Sequence, residues 1–245
     1  MANAITAKQL FQEGKVRAAA KELTEYLRDH PADSTQRTFL FELLCASGDF
    51  ARAEKQLSVL AQGGAETEMG AVLYYSALNA EKLRNETFEK AGFSSHTPSA
   101  PVTGKLNGRP FQSLRDADPD LGGRLEVFAA GAYLWIPFEH IESLHMEAPR
   151  RLRDTLWAPA MIRTGPAFKS TELGEVLIPV VYPFSWKTEN EAVWLGRITE
   201  WSADENGTEY PSGQKTLLVD GEEVPFLEVR SIEFDKQVAA PAAAN

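Results

Sequence analysis

The sequence predicts an α+β protein, in which antiparallel helical hairpins precede a mixed domain with a mainly antiparallel sheet. Two observations predict this. The first half carries an internal repeat at helical periodicity, and from Tyr133 onward short aromatic and β-branched runs take over, bounded by Pro, Gly and Asn.

The helical half comes first. Leu10, Phe11, Val16, Ala19, Leu23, Tyr26 and Leu27 recur at three- and four-residue spacing, and Pro31 interrupts them. Asp33 or Ser34 is placed to cap a second run through Phe39, Leu40, Leu43 and Leu44 that stops at Gly48. Residues 13–19 (EGKVRAA) match residues 47–53 (SGDFARA), so that Gly14 corresponds to Gly48, Ala19 to Ala53 and Leu23 to Leu57. The offset is the period of tetratricopeptide repeats, whose helix pairs turn at a glycine and stack on the next pair. A further helix from Glu66 to Lys90 covers the open end. Residues 1–92 are assigned to this helical domain.

Residues 93–120 are rich in Ser, Thr, Gly and Pro, and Pro98, Pro101 and Pro110 exclude a continuous helix, so the stretch reads as a linker. The second domain spans 121–236. Short helices are expected at Leu121–Ala132, Ile141–Leu144 and Arg150–Trp157. Strands are expected at Tyr133–Ile136, Val176–Tyr182, Val193–Ile198 and Lys215–Val219, with an Asp220-Gly221 turn leading back through Val224–Val229. Residues 237–245 are nearly all alanine and read as a disordered tail.

Composition narrows the function. Of 245 residues 43% are apolar and 24% charged, as in a soluble globular protein, and the net charge of −10 disfavours nucleic acid and anionic lipid and favours a basic partner. Arg150, Arg151 and Arg153 read as a solvated or salt-bridged helix start. Cys45 is the sole cysteine, which excludes an internal disulfide, and its apolar neighbours mark it as a packing thiol. No signal peptide and no spanning segment are visible, so the expected location is the cytoplasm.

Catalytic signals are thin. Glu139, His140, Glu142 and His145 cluster, but histidines five apart do not share a helical face as a zinc pair would. Ser212 and Lys215 have the Ser-x-x-Lys spacing of some acylating enzymes without the helix start those enzymes use. The glycine pairs 63–64 and 122–123 lack the other glycines of a nucleotide-binding loop. No enzyme activity, cofactor or metal is expected. The five tryptophans all fall in the second half and read mainly as core anchors, with Trp201 the most exposed.

Three segments carry more than periodicity: residues 133–141 (YLWIPFEHI), 153–160 (RDTLWAPA) and 174–180 (GEVLIPV). In this order, behind a tetratricopeptide-like region, they resemble the ImpE family, the TagJ or SciE-type accessory proteins of bacterial type VI secretion. The resemblance implies a non-enzymatic adaptor that binds a helix near the N-terminus of the small contractile-sheath subunit. It also implies an indirect link to sheath recycling by an AAA-type ATPase. Stacked hairpins leave a concave face that accepts an amphipathic helix, and Arg37, Phe41 and Tyr74 are the partner-binding candidates there. Two alternatives stand beside this reading. One is a chaperone or immunity-like binder of a secreted protein, and the other a small metal-dependent hydrolase built on Glu139, His140 and His145.

Overall fold

Gly14 and Gly48, equivalent in the repeat, both adopt left-handed backbone, with φ of 80° and 72°. Each lets the chain double back between two helices at a position where a Cβ would be strained. The computed structural model describes residues 3–90, 101–165, 168 and 173–235. Around the two glycines it forms the hairpins α1 (Ala4–Gln12) with α2 (Val16–Asp29) and α3 (Ser34–Ala46) with α4 (Phe50–Leu60). Asp33 caps α3 by accepting from Gln36 N at 3.0 Å, and Asp49 caps α4. The repeat-equivalent Ala19 and Ala53 are fully buried, which lets the helices approach closely. The long α5 (Ala65–Lys90) follows, where a further helix is expected from Glu66 to Lys90.

The second half is built on an eight-stranded antiparallel sheet. Its strands in chain order are β1 (Gly104–Leu106), β2 (Arg109–Phe111), β4 (Arg124–Ala129), β5 (Ala132–Pro137), β6 (Ile141–Met146), β7 (Trp157–Thr164), β8 (Gly174–Pro179) and β13 (Ser231–Phe234). Their spatial order is β2-β1-β13-β6-β7-β8-β4-β5. A second sheet joins β3 (Leu114–Asp116), β11 (Thr216–Val219) and β12 (Glu222–Pro225), and β9 (Thr199–Ala203) pairs with β10 (Glu209–Gly213) as a separate ribbon. One face of the large sheet is buried in a core of its own, and the helices cover the other face only around β4, β8 and the start of β7. Alternation along β7 sends Ala158, Ala160 and Ile162 into one core, while Trp157 turns to a second core shared with the helices.

Several expected elements differ, each for a physical reason. The stretch 121–132, expected as a helix, contains β4, whose inner residues Leu125, Glu126, Val127 and Phe128 are buried on both faces, so the strand shows no apolar–polar alternation. The expected helix Ile141–Leu144 is the start of β6. A bulge between Ile141 and Ser143 puts Ile141 and Leu144 in the core at a spacing of three, which imitates helical periodicity. Arg150–Trp157 contains a single 3-10 turn, Leu152–Thr155, before β7 begins. The expected strand Val193–Ile198 is instead one helical turn, α6 (Glu191–Trp194), capped by Asn190 and bent away at Gly196. The return after Asp220-Gly221 starts at Glu222 and ends at Pro225, ahead of a 3-10 turn.

Within the stretch read as a linker, residues 104–116 form three strands of three residues each, too short to show alternation. β1 joins the large sheet through β13, far along the chain. Residues 93–100 and the tail 237–245 lie outside the described residues. Among the described residues no helix is long and apolar enough to cross a membrane.

Candidate partner-binding groove

The face of the hairpins expected to stay open is covered by the chain's own second half. Arg197 donates to the main-chain oxygens of Phe11 and Gln12 at 2.9 and 3.1 Å, and Trp186 packs edge-on against Phe50. The Arg17 guanidinium lies 4.4 Å over the Trp194 ring, and Arg153 donates to Glu42 at 3.0 Å. Helix α3 is consequently buried from Leu40 to Ala46.

This burial decides where the expected binding residues sit. Phe41 is 1% exposed, and its ring meets that of Tyr74 at 5.7 Å. Tyr74 is half-buried, stacks toward Trp157 at 6.4 Å and carries the Arg153 guanidinium 4.9 Å above its ring. Arg37 lies one helical turn before Phe41 on α3, but its guanidinium is held by Gln56 of α4 at 2.8 Å and by the Pro31 oxygen at 2.6 Å. The structure thus joins Phe41 and Tyr74, while the Arg37 guanidinium is directed to α4 and to Pro31.

Tyr74 is also part of the wall of a groove of about 370 Å³ between α5 and the sheet. On the α5 side stand Met69, Val72 and Leu73, at helical spacing and exposed by 78%, 60% and 48%. Facing them are Phe128 on β4, Pro159 on β7 and Leu177 on β8. Exposed apolar side chains are ordinary when scattered, but three together along a concave apolar wall mark an interaction surface. The carboxylate of Glu175 stands among the lining residues, and Glu68 is exposed beside Met69. Asn79 of α5 donates to Gly131 O at 2.9 Å, fixing the β4–β5 turn beside the groove.

Further along α5 a buried ionic network joins the helix to the sheet. Arg84 Nε and Nη2 donate to the two oxygens of Glu126 at 2.7 and 2.8 Å, and Nη1 donates to Glu81 at 3.2 Å. Lys215 bonds Glu126 from another side and reaches Asp116 at 3.3 Å. The Tyr133 hydroxyl donates to Glu126 at 2.6 Å, and the Trp157 indole N–H to Glu81 at 3.0 Å. Burial alone would raise the Glu126 carboxyl, but Arg84 and Lys215 hold it down at about 2. Burial outweighs Lys215 at Asp116 and raises that carboxyl. Near Tyr74, burial and then Asp154 lift Glu42 to about 7 against the pull of Arg151, and burial pushes the Tyr74 hydroxyl up to about 12.

The candidate catalytic groups are spread out. His140 lies 3.7 Å from Glu139 with its ring 6.3 Å from that of Phe168, and His145 is exposed on β6. Among the described residues no group of three or more His, Cys, Asp or Glu could hold a metal. The Lys215 ammonium is committed to Glu126 and Asp116, which removes it as a base for Ser212. Cys45 is buried, and burial raises its thiol well above the usual range. Trp157 and Trp194 are core residues, and Trp201 is 39% exposed.

Sequence reasoning missed Met69, Val72 and Leu73, although their three- and four-residue spacing with Ser76 and Ala77 was visible. What it could not show is that the N-terminal end of this stripe extends past its own core. Arg84, Glu126 and Lys215 carried no local signal, because the partners lie on distant elements.

Comparison with known proteins follows the same outline. The family model described as ImpE protein matches residues 108–233. The chain is 31% identical to the type VI secretion system accessory component TagJ of Pseudomonas aeruginosa, over 95% of this chain and 92% of that protein. Its fold is that of the crystal structure of protein VPA1032 from Vibrio parahaemolyticus, with a TM-score of 0.84 and 23% identity over 96% of this chain and 99% of that one. A matching family model over half the chain and a relative alignable almost end to end agree: the chain belongs to the ImpE family.

Proposed function

We propose that this protein is a non-enzymatic accessory component of type VI secretion, working in the cytoplasm, and that its groove between α5 and the sheet receives a helix near the N-terminus of the small contractile-sheath subunit. The observation that carries this reading is the exposed stripe Met69-Val72-Leu73 facing Phe128, Pro159 and Leu177 across a groove of about 370 Å³. An amphipathic helix presents apolar side chains at i, i+3, i+4 and i+7, which such a groove can take up. Glu68 and Glu175 beside the apolar wall favour a partner helix with basic flanking residues, in keeping with the net charge of −10. Tyr74 contributes a wall position, with Phe41 supporting it from below. Arg37, outside this groove, is proposed only as a peripheral contact. By holding the sheath subunit the protein would act on recycling by the AAA-type ATPase indirectly.

The test is co-purification of the tagged protein from cells assembling the secretion apparatus, with the captured partners identified by mass spectrometry. The small sheath subunit is the expected prey, and it is lost with Leu73→Asp. Capture of a secreted effector in its place would overturn the sheath assignment in favour of a chaperone role.

A further inference from the structure

The β9–β10 ribbon shares no residue with the groove, and it has the makings of a second docking surface. Between Thr199 and Gln214 the chain has four carboxylates, Glu200, Asp204, Glu205 and Glu209, and no Lys or Arg. Strand β9 is exposed from Glu200 to Ala203, and Trp201 at its centre is 39% exposed. The tip is rigid, because Asp204 accepts from Asn206 N and Thr208 N, both at 2.8 Å.

The two edges of the ribbon differ. On β10, Gly213 N donates to Ser185 Oγ at 2.8 Å and Gly213 O accepts from Tyr182 N at 2.8 Å, so this residue directs its main chain away from β9. The two-residue repeat of a strand turns Pro211 the same way, and its missing N–H blunts that edge. Opposite these residues on β9 stand Thr199 and Trp201, and Ala203 stands opposite Glu209. Their main-chain groups therefore point outward on the far side, where no strand pairs with β9 among the described residues. Carboxylates on an edge strand commonly repel other edges, but a purely protective edge has no use for an exposed indole at its middle. Trp201 and Glu209 share one face of the ribbon as diagonal neighbours. A cation stacked on the indole would meet the Glu209 carboxylate.

We propose that β9 accepts, by strand addition, an extended Lys- or Arg-bearing segment of a protein partner, with the cation held between Trp201 and Glu209. Main-chain pairing along Thr199–Ala203 supplies affinity, and the indole with its carboxylate supplies selectivity.

The experiment titrates the full-length protein with the blocked peptide Thr-Val-Thr-Arg-Thr-Val-Thr, read by calorimetry and tryptophan fluorescence. The same peptide with Glu for Arg serves as control. Saturable binding is expected for the Arg peptide, weakening with salt, and none for the Glu peptide. Trp201→Ala should weaken binding by roughly tenfold. Ala203→Pro, which removes one outward N–H without touching the β9–β10 ladder, should abolish it. Folded wild-type protein that shows no saturable binding at millimolar peptide overturns the proposal. So does affinity unchanged in both variants, and so does titration explained by self-association on sedimentation, which would make a second copy the occupant.

Discussion

Arg84 on α5 and Glu126 on β4 face each other through two hydrogen bonds of 2.7 and 2.8 Å, with side chains 2% and 0% exposed. The fork of a guanidinium on a carboxylate fixes orientation as well as distance. It sets the position of α5 over the sheet, and Phe128, two residues past Glu126 on β4, is one wall of the groove. The ionic pair and the binding surface are thus parts of one arrangement.

Removing one member of this pair strands a buried charge. Arg84→Met is expected to lower unfolding stability by about 3–5 kcal/mol, read by denaturant melts. The double variant Arg84→Met with Glu126→Leu should recover part of that loss. A single variant as stable as wild type would show that the network does not hold the two layers together.

The same pair gives stability a pH dependence. Glu126 titrates at about 2 in the folded protein against a normal value of 4.5, so its contribution is complete above pH 4.5 and is lost as the pH falls toward 2. Glu42 is the opposite case. Raised to about 7, it favours the folded state most below pH 4.5, and that advantage disappears as the pH rises through 7. Glu42→Gln should flatten the stability profile between pH 4.5 and 7, measured by thermal melts across that range. An unchanged slope there would contradict the assignment.

Gly14 and Gly48 occupy equivalent repeat positions but different surroundings. A Cβ on Gly14 would meet only Arg197 Nη1, at 3.7 Å, whereas on Gly48 it would run into the Trp186 ring. Gly14→Ala should cost about 1–2 kcal/mol from the left-handed backbone alone. Gly48→Ala should cost about 1–3 kcal/mol more, from overpacking. Equal melting temperatures for the two variants would show that Trp186 does not seal the second hairpin.

Much of this was legible in the sequence. The repeat placed both turn glycines, and the start of the second run placed a cap at Asp33 or Ser34, because helical periodicity and turn chemistry are local. The large sheet was less visible. β4 is buried on both faces, with Glu126 and Phe128 toward the helices, so it shows no alternation, and the bulge in β6 gave its core residues a helical spacing. The groove depends on how far α5 overhangs its own core, and the network on groups brought together from α5, β4 and the start of β11. Neither leaves a pattern within any short window. Phe41 shows the limit from the other side: expected as a partner-binding residue, it is 1% exposed, with its ring against Tyr74 of α5.

The most direct test of the central claim is calorimetry of the purified protein with a synthetic N-terminal helix of the cognate small sheath subunit, beside Leu73→Asp and Val72→Asp. The account predicts one-to-one saturable binding to wild type, weakened at least about tenfold in either variant, with melting temperatures unchanged because both side chains are exposed. Equal binding by wild type and both variants would place the helix elsewhere on the molecule, and no heat from folded wild type at high micromolar concentration would contradict the sheath-binding role itself.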